Sequence, residues 1–200
     1  MLAAAASAQT YELGGAVGEG SYRNGTVTSP SGPAQAGIGN AIAPSVVVCD
    51  NMYEHVSGEV RYLYQGGLPF VSQGGVKGTM PGNSHTFVYD TLVHLRGRHS
   101  RIRPYFAIGA GVKGYVTPGP APSPEVLQKV VGLLAKNQWT LAGSVGGGVK
   151  VRIQEHIVLR FDIRDYVTQF PKQQIAPASG ASVSGLLQQI TPMGGVGFVF

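Results

Sequence analysis

The stretch IVLRFDIRDY, from Ile157 to Tyr166, constrains the fold more than any other part of the chain. Ile157, Leu159, Phe161 and Ile163 alternate with Arg160, Asp162 and Arg164. A period of two belongs to a β-strand, whose successive side chains point to opposite faces. One face of this strand is apolar and the other is ionic. A soluble sheet would turn the apolar face inward, and a membrane barrel would turn it to lipid. This strand alone fits both.

Composition limits the alternatives. Only 12% of the 200 residues are charged, while Gly reaches 30 and Pro 13. Disordered chains are rich in charge and poor in aromatic and β-branched residues. This chain carries nine Tyr and seven Phe, which with its many Val residues predict a Gly-rich all-β domain. A single cysteine, Cys49, excludes an intramolecular disulfide. The net charge of +5 raises the question of nucleic acid. Its distribution answers against that partner: Arg96, Arg98, His99, Arg101 and Arg103 crowd one stretch that reads as a solvated turn. The other bases are scattered, without a basic helix or an aromatic stacking motif.

Strand signals recur over Thr10 to Tyr22, Ala36 to Cys49, Val56 to Gln65, Thr86 to Arg96, Arg103 to Thr117, Trp139 to Ile153, Ile157 to Gln169, and Leu187 to Phe200. Tight turns (DNMYEH, GRHSRI, QEH) alternate with four long Gly/Pro/Ser-rich connections. Short and long connections therefore fall at opposite ends of an up-and-down antiparallel arrangement, the asymmetry of transmembrane barrels. No run approaches the roughly 20 apolar residues of a membrane helix.

The small residues decide between the two orientations. In RPYFAIGAGVKGY, Phe106, Ile108, Ala110 and Val112 oppose Ala107, Gly109, Gly111 and Lys113. In the next strand Leu141, Val145, Val149, Val151 and Ile153 oppose Ala142, Ser144, Gly146, Gly148, Lys150 and Arg152. Water-facing strand positions gain nothing from Gly and Ala, which weaken a strand without packing anything. The inside of a narrow barrel needs them, because space is limiting there. The pattern therefore predicts polar side chains inside and apolar ones outside. The terminal ITPMGGVGFVF agrees, with Val196, Phe198 and Phe200 on one face, where lipid and an aromatic girdle would cover them.

With GGVGFVF, RPYFAIGAGVKGY and HVSGEVRYLYQ in place, the chain resembles the outer-membrane β-barrels of Gram-negative bacteria, in particular the eight-stranded transmembrane domains of the outer membrane protein A type. The resemblance implies a bacterial outer-membrane location, with lipid and lipopolysaccharide around the barrel. It also implies that Phe198 and Phe200 belong to the signal read by the barrel assembly machinery. Pro192 departs from the pattern, since it removes a ladder donor within the last strand.

Other motifs carry less. Gly109, Gly111 and Gly114 spell G-x-G-x-x-G, but YVTPGPAP follows where a dinucleotide site needs a helix. Ser84 and His85 are adjacent, so in a strand they point to opposite faces and cannot act as nucleophile and base. No His, Cys or carboxylate cluster has metal spacing, and neither a cofactor nor a catalytic site is expected. SPEVLQKVVGLLAKN, with Ser123 as N-cap and Pro124 behind it, predicts one short helix in the third long loop. The small-residue run Ala6-Ser7-Ala8 predicts a residual signal-peptide stub over 1–8, ahead of a single barrel domain over 9–200.

The expected fold is thus all-β, an eight-stranded antiparallel up-and-down transmembrane barrel. Its lumen charges should be Glu12, Glu59, Arg61, Asp90, Lys113, Lys150, Arg152, Arg160, Asp162 and Arg164, paired across strands into a plug because unpaired charge in so narrow a space is costly, with Glu59 and Arg61 as complementary partners for Arg160, Asp162 and Arg164. Bases outnumber acids in this set, so water or an anion should accompany it. The expected role is structural, adhesive or surface-binding through the long loops. Two other readings remain open at this stage: a soluble carrier of a small apolar ligand with the faces reversed, and a lipid-modifying outer-membrane enzyme.

Overall fold

The computed structural model describes residues 11–51, 53–118, 127, 129–183 and 185–200. Eight strands close into an antiparallel barrel: β1 (Tyr11–Arg23), β4 (Ala41–Asp50), β5 (Val56–Gly66), β8 (Asn83–His94), β9 (Ile102–Val116), β11 (Gln138–Arg152), β12 (Ile157–Gln169) and β15 (Leu186–Val199). Each pairs with the next along the chain, and β15 pairs back onto β1, so the barrel has no free edge. Following the paired residues round from Glu12 leads through Cys49, Glu59, Asp90, Gly109, Ser144, Tyr166 and Gln189 back to β1, at Tyr22. The return point differs from the start because closure requires tilted strands with a fixed stagger.

The apolar alternation faces outward. Leu13, Val46, Val60, Phe87, Ile108, Val145, Phe161 and Val196 are all exposed, and Leu141 reaches 80% exposure. So much exposed apolar surface suits lipid and not water. The soluble-carrier reading needs the opposite orientation of these faces.

The long connections build further strands above one end of the barrel. A five-stranded sheet runs β14 (Ser182–Val183), β2 (Gly25–Thr28), β3 (Ala34–Ile38), β6 (Pro69–Gln73) and β7 (Val76–Thr79), beside a pair made by β10 (Val131–Leu133) and β13 (Ile175–Pro177). Val27, Ile38, Val71, Met80, Val131, Phe170 and Ile175 pack there into one buried cluster that reaches down to Tyr22, Tyr115 and Leu187 of the barrel. The loops thus form a cap with its own core.

Two sequence expectations are corrected here. The second barrel strand begins at Ala41, because Ala36 belongs to β3 in the cap and pairs with Val71. The helix expected over 123–137 is replaced at Val131–Leu133 by β10, which pairs with Ile175–Pro177; its Val131 and Leu133 enter the cap core on alternate positions. Residues 123–126 and 128 of that expected helix lie outside the described residues, as does the signal stub over 1–8. Pro192 does not end the last strand, which runs on to Leu186. Its exposed ring points outward, and the pairing with β1 lapses only between Met193 and Ile190, where the missing N–H falls.

The lumen glycines have a steric cause. A Cβ at Gly111 would collide with the backbone oxygen of Phe87, and one at Gly109 with that of Tyr89. These positions let β9 press closely against the backbone of β8. Gly114, the last glycine of the G-x-G-x-x-G run, instead faces outward beneath the Trp139 ring, 2.8 Å from where its Cβ would sit. Gly111→Val is expected to abolish the folded barrel, scored as loss of the fast-migrating unboiled band on a dodecyl sulfate gel.

Candidate functional site in the barrel lumen

Inward positions on five strands bring charged side chains to the barrel axis. Glu12 comes from β1, Glu59 and Arg61 from β5, Asp90 from β8, Lys150 from β11, and Arg160, Asp162 and Arg164 from β12. All are buried. Alternation on β12 explains why Arg160, Asp162 and Arg164 share a face, and register places Glu59 directly beside Asp90.

The contacts form one continuous network. Arg61 holds Glu59 Oε1 at 2.9 Å through Nη2, and Asp162 through both terminal nitrogens, at 3.2 and 2.9 Å. Arg160 donates to Glu12 Oε1 at 2.8 Å and also to Glu59 Oε2. Lys150 donates to Glu12 Oε2 at 2.6 Å. Arg164 donates to Asp90 Oδ2 at 2.9 Å and to Glu59 Oε1 at 3.3 Å. Glu59, 0% exposed, therefore meets three guanidiniums and is the hub.

Two of the lumen bases stand apart from this network. Lys113 lies toward the cap, with Tyr22 Oη at 2.9 Å, Gln189 Oε1 as a second acceptor, and the rings of Tyr22 and Tyr115 at 4.8 and 5.3 Å. The charge is held by π-faces and neutral oxygens. Arg152 sits at the other end, where its Nη2 donates to the backbone oxygen of Arg98 at 2.7 Å. Without these two, Glu12, Glu59, Asp90 and Asp162 are matched charge for charge by Arg61, Lys150, Arg160 and Arg164. The excess of bases is therefore confined to the two ends of the lumen.

Several lumen residues escaped the sequence reading. Tyr105 donates to Asp162 Oδ2 at 3.0 Å, and Met193 Sδ lies 3.3 Å from Arg61 Nη1. Both lie on the inward parity of their strands, so alternation could have found them. Arg103, read as part of a solvated turn, is 6% exposed. It donates to Asn51 Oδ1 at 3.1 Å and to the backbone oxygen of Glu54 at 2.9 Å, tying two of the tight turns together. Ser84 and His85 point to opposite faces: Ser84 Oγ meets Tyr22 Oη at 3.4 Å inside, and His85 Nδ1 meets Tyr62 Oη at 2.8 Å outside.

A closed ring of eight strands with an apolar exterior and a salt-bridged interior defines the class: a transmembrane barrel of the outer-membrane type, with membrane lipid around its belt. No protein-family model and no curated protein matches the sequence. Among solved structures the chain is similar to Neisserial surface protein A, with a TM-score of 0.59 at 10% identity over 95% of this chain and 96% of that one. It is likewise similar to the outer membrane protein OprG of Pseudomonas aeruginosa, with a TM-score of 0.59 at 14% identity over 96% of each chain. The N-terminal β-barrel domain of OprF from the same bacterium matches at 0.50 and 16% identity, over 96% of this chain and 98% of that one. At these identities the likeness is one of fold.

Proposed function

We propose that the protein is a non-enzymatic outer-membrane barrel with a closed lumen, which presents its folded loop cap as a binding surface at the cell exterior. The salt-bridge network across the barrel axis carries this reading, since a ring of eight strands is only just wide enough for its own side chains. Outer-membrane barrels place short turns in the periplasm and long loops outside, so the cap would face the exterior. Leu68, Val76, Leu134 and Leu186 are exposed in or beside it, on a scaffold braced by its own core. A rigid surface of this kind suits a structural or adhesive role. Lipopolysaccharide would be its neighbour in the outer leaflet.

Among the described residues, no hydrogen-bonded serine and histidine stand together at the loop end to serve the lipid-modifying alternative. The close Ser57–His94 pair, 2.9 Å between Oγ and Nε2, is buried at the turn end of the lumen. For assembly, Phe198 and Phe200 would act as the recognition signal. Both rings are exposed, and Phe200 exchanges backbone hydrogen bonds with Tyr11 at 2.9 and 3.2 Å where the last strand meets the first.

Planar-bilayer recording tests the closed lumen. The purified monomer is expected to show no openings or very small ones. Stable, porin-sized conductance would overturn the proposal.

A further inference from the structure

We propose that the turn end of the lumen holds a binding site for a small oxyanion, a phosphate or a carboxylate group. A cavity of about 180 Å³ opens there, between the strand ends and the tight turns. On the same measure one water needs only about 10–15 Å³. The Glu12–Lys150–Arg160 salt bridges close it from above, so it is a blind pocket and not a passage.

The charge of its wall points to the ligand. Arg98, Arg103, Lys150 and Arg152 line it together with His99 and Ser100, against Glu12 and Glu155. Glu12 is already matched by Lys150 and Arg160. Arg103 uses its guanidinium on neutral acceptors: Asn51 Oδ1 and the backbone oxygens of Tyr53, Glu54 and Arg96. Those bonds occupy four of its five N–H groups and bring no carboxylate within ion-pair distance of a buried charge, where poorly compensated charge is expensive. Arg152 donates to a backbone oxygen, and Arg98 Nε makes no hydrogen bond, with only the partly exposed Glu54 Oε1 near it at 3.6 Å. Several forked donors, a hydroxyl and an imidazole around one blind cavity match the multiple acceptors of an oxyanion. In an outer-membrane barrel this end faces the periplasm, so the anion would be free phosphate or the carboxylate of a periplasmic peptide.

The test uses the full chain, refolded in detergent in a phosphate-free buffer and titrated calorimetrically with inorganic phosphate and, separately, with N-acetylalanine. Saturable one-site binding of at least one probe is expected, and the preferred probe identifies the source. Arg152→Gln should weaken it by roughly tenfold or more, as for a lost hydrogen bond between charged groups. Lys77→Gln, in the cap, should leave it unchanged. If Arg152→Gln does not give the fast-migrating folded band, Arg98→Gln carries the comparison, because that side chain lies in a turn and is partly exposed. Absence of saturable binding for both probes, or full binding by the folded arginine variants, would overturn the site. The readout is independent of conductance, so a conducting lumen and an empty anion site are separate failures.

Discussion

Glu59→Gln is expected to destabilise the barrel by about 3–5 kcal/mol, the cost of breaking a buried pair and leaving charge uncompensated. Glu59 receives Arg61, Arg160 and Arg164, and none of these can move to water from inside the lumen. Removing its charge leaves three guanidiniums sharing the remaining carboxylates of Glu12, Asp90 and Asp162. The glutamine keeps the shape and offers N–H groups where the arginines need acceptors. Urea unfolding in phospholipid vesicles, followed through Trp139 fluorescence, measures the loss. Glu54→Gln is the control: its ion pair with Arg98 is 3.6 Å long and partly exposed, and pairs of that kind are worth at most about 1 kcal/mol. Equal, small losses from the two variants would show that the lumen is wet and its charges screened.

Ile108→Arg should cost about 2–4 kcal/mol in the same vesicles, the price of a cation at the bilayer midplane of a barrel. Ile108 is 66% exposed, points outward from β9 between Phe106 and Ala110, and lies beside Val145 of β11. In water such a substitution would be nearly neutral, within about 0.5 kcal/mol, as for most surface changes. Leu134→Arg, on the exposed cap, supplies that reference. The comparison reads the medium around the belt directly, because both side chains start exposed and only the solvent differs. Equal stabilities for the two variants would remove lipid from the outside of the barrel.

Much of this architecture was legible in the chain. Alternation on IVLRFDIRDY and the Gly/Ala parity of RPYFAIGAGVKGY identified the strands and the faces, because a period of two has one structural meaning and small residues have one use in a narrow interior. The same parity named the lumen charges. It offered Glu59 and Arg61 as partners for Arg160, Asp162 and Arg164 but not the contacts of Glu12, since Glu12 and its partners Lys150 and Arg160 are far apart in sequence and meet only across the closed ring. Lys113 and Arg152 obey the same alternation as Lys150, yet their height along the axis takes them out of the network.

The loops were less readable. SPEVLQKVVGLLAKN carries sound helix-start signals, but Val131–Leu133 is drawn into β10 because the cap core rewards a paired strand there, and tertiary packing outweighs propensity. Arg103 looked like one base of a turn, since nothing local shows that its side chain folds inward to tie the turns together. What the chain determined by itself was the strand pattern and the sidedness of each strand, which follow from local alternation and from the space a small barrel leaves. Tertiary structure alone decided the stagger that carries Glu12 round to Tyr22, the partners of Glu12, the cap, and the basic pocket at the turn end, because each depends on which distant residues the ring brings to the same height.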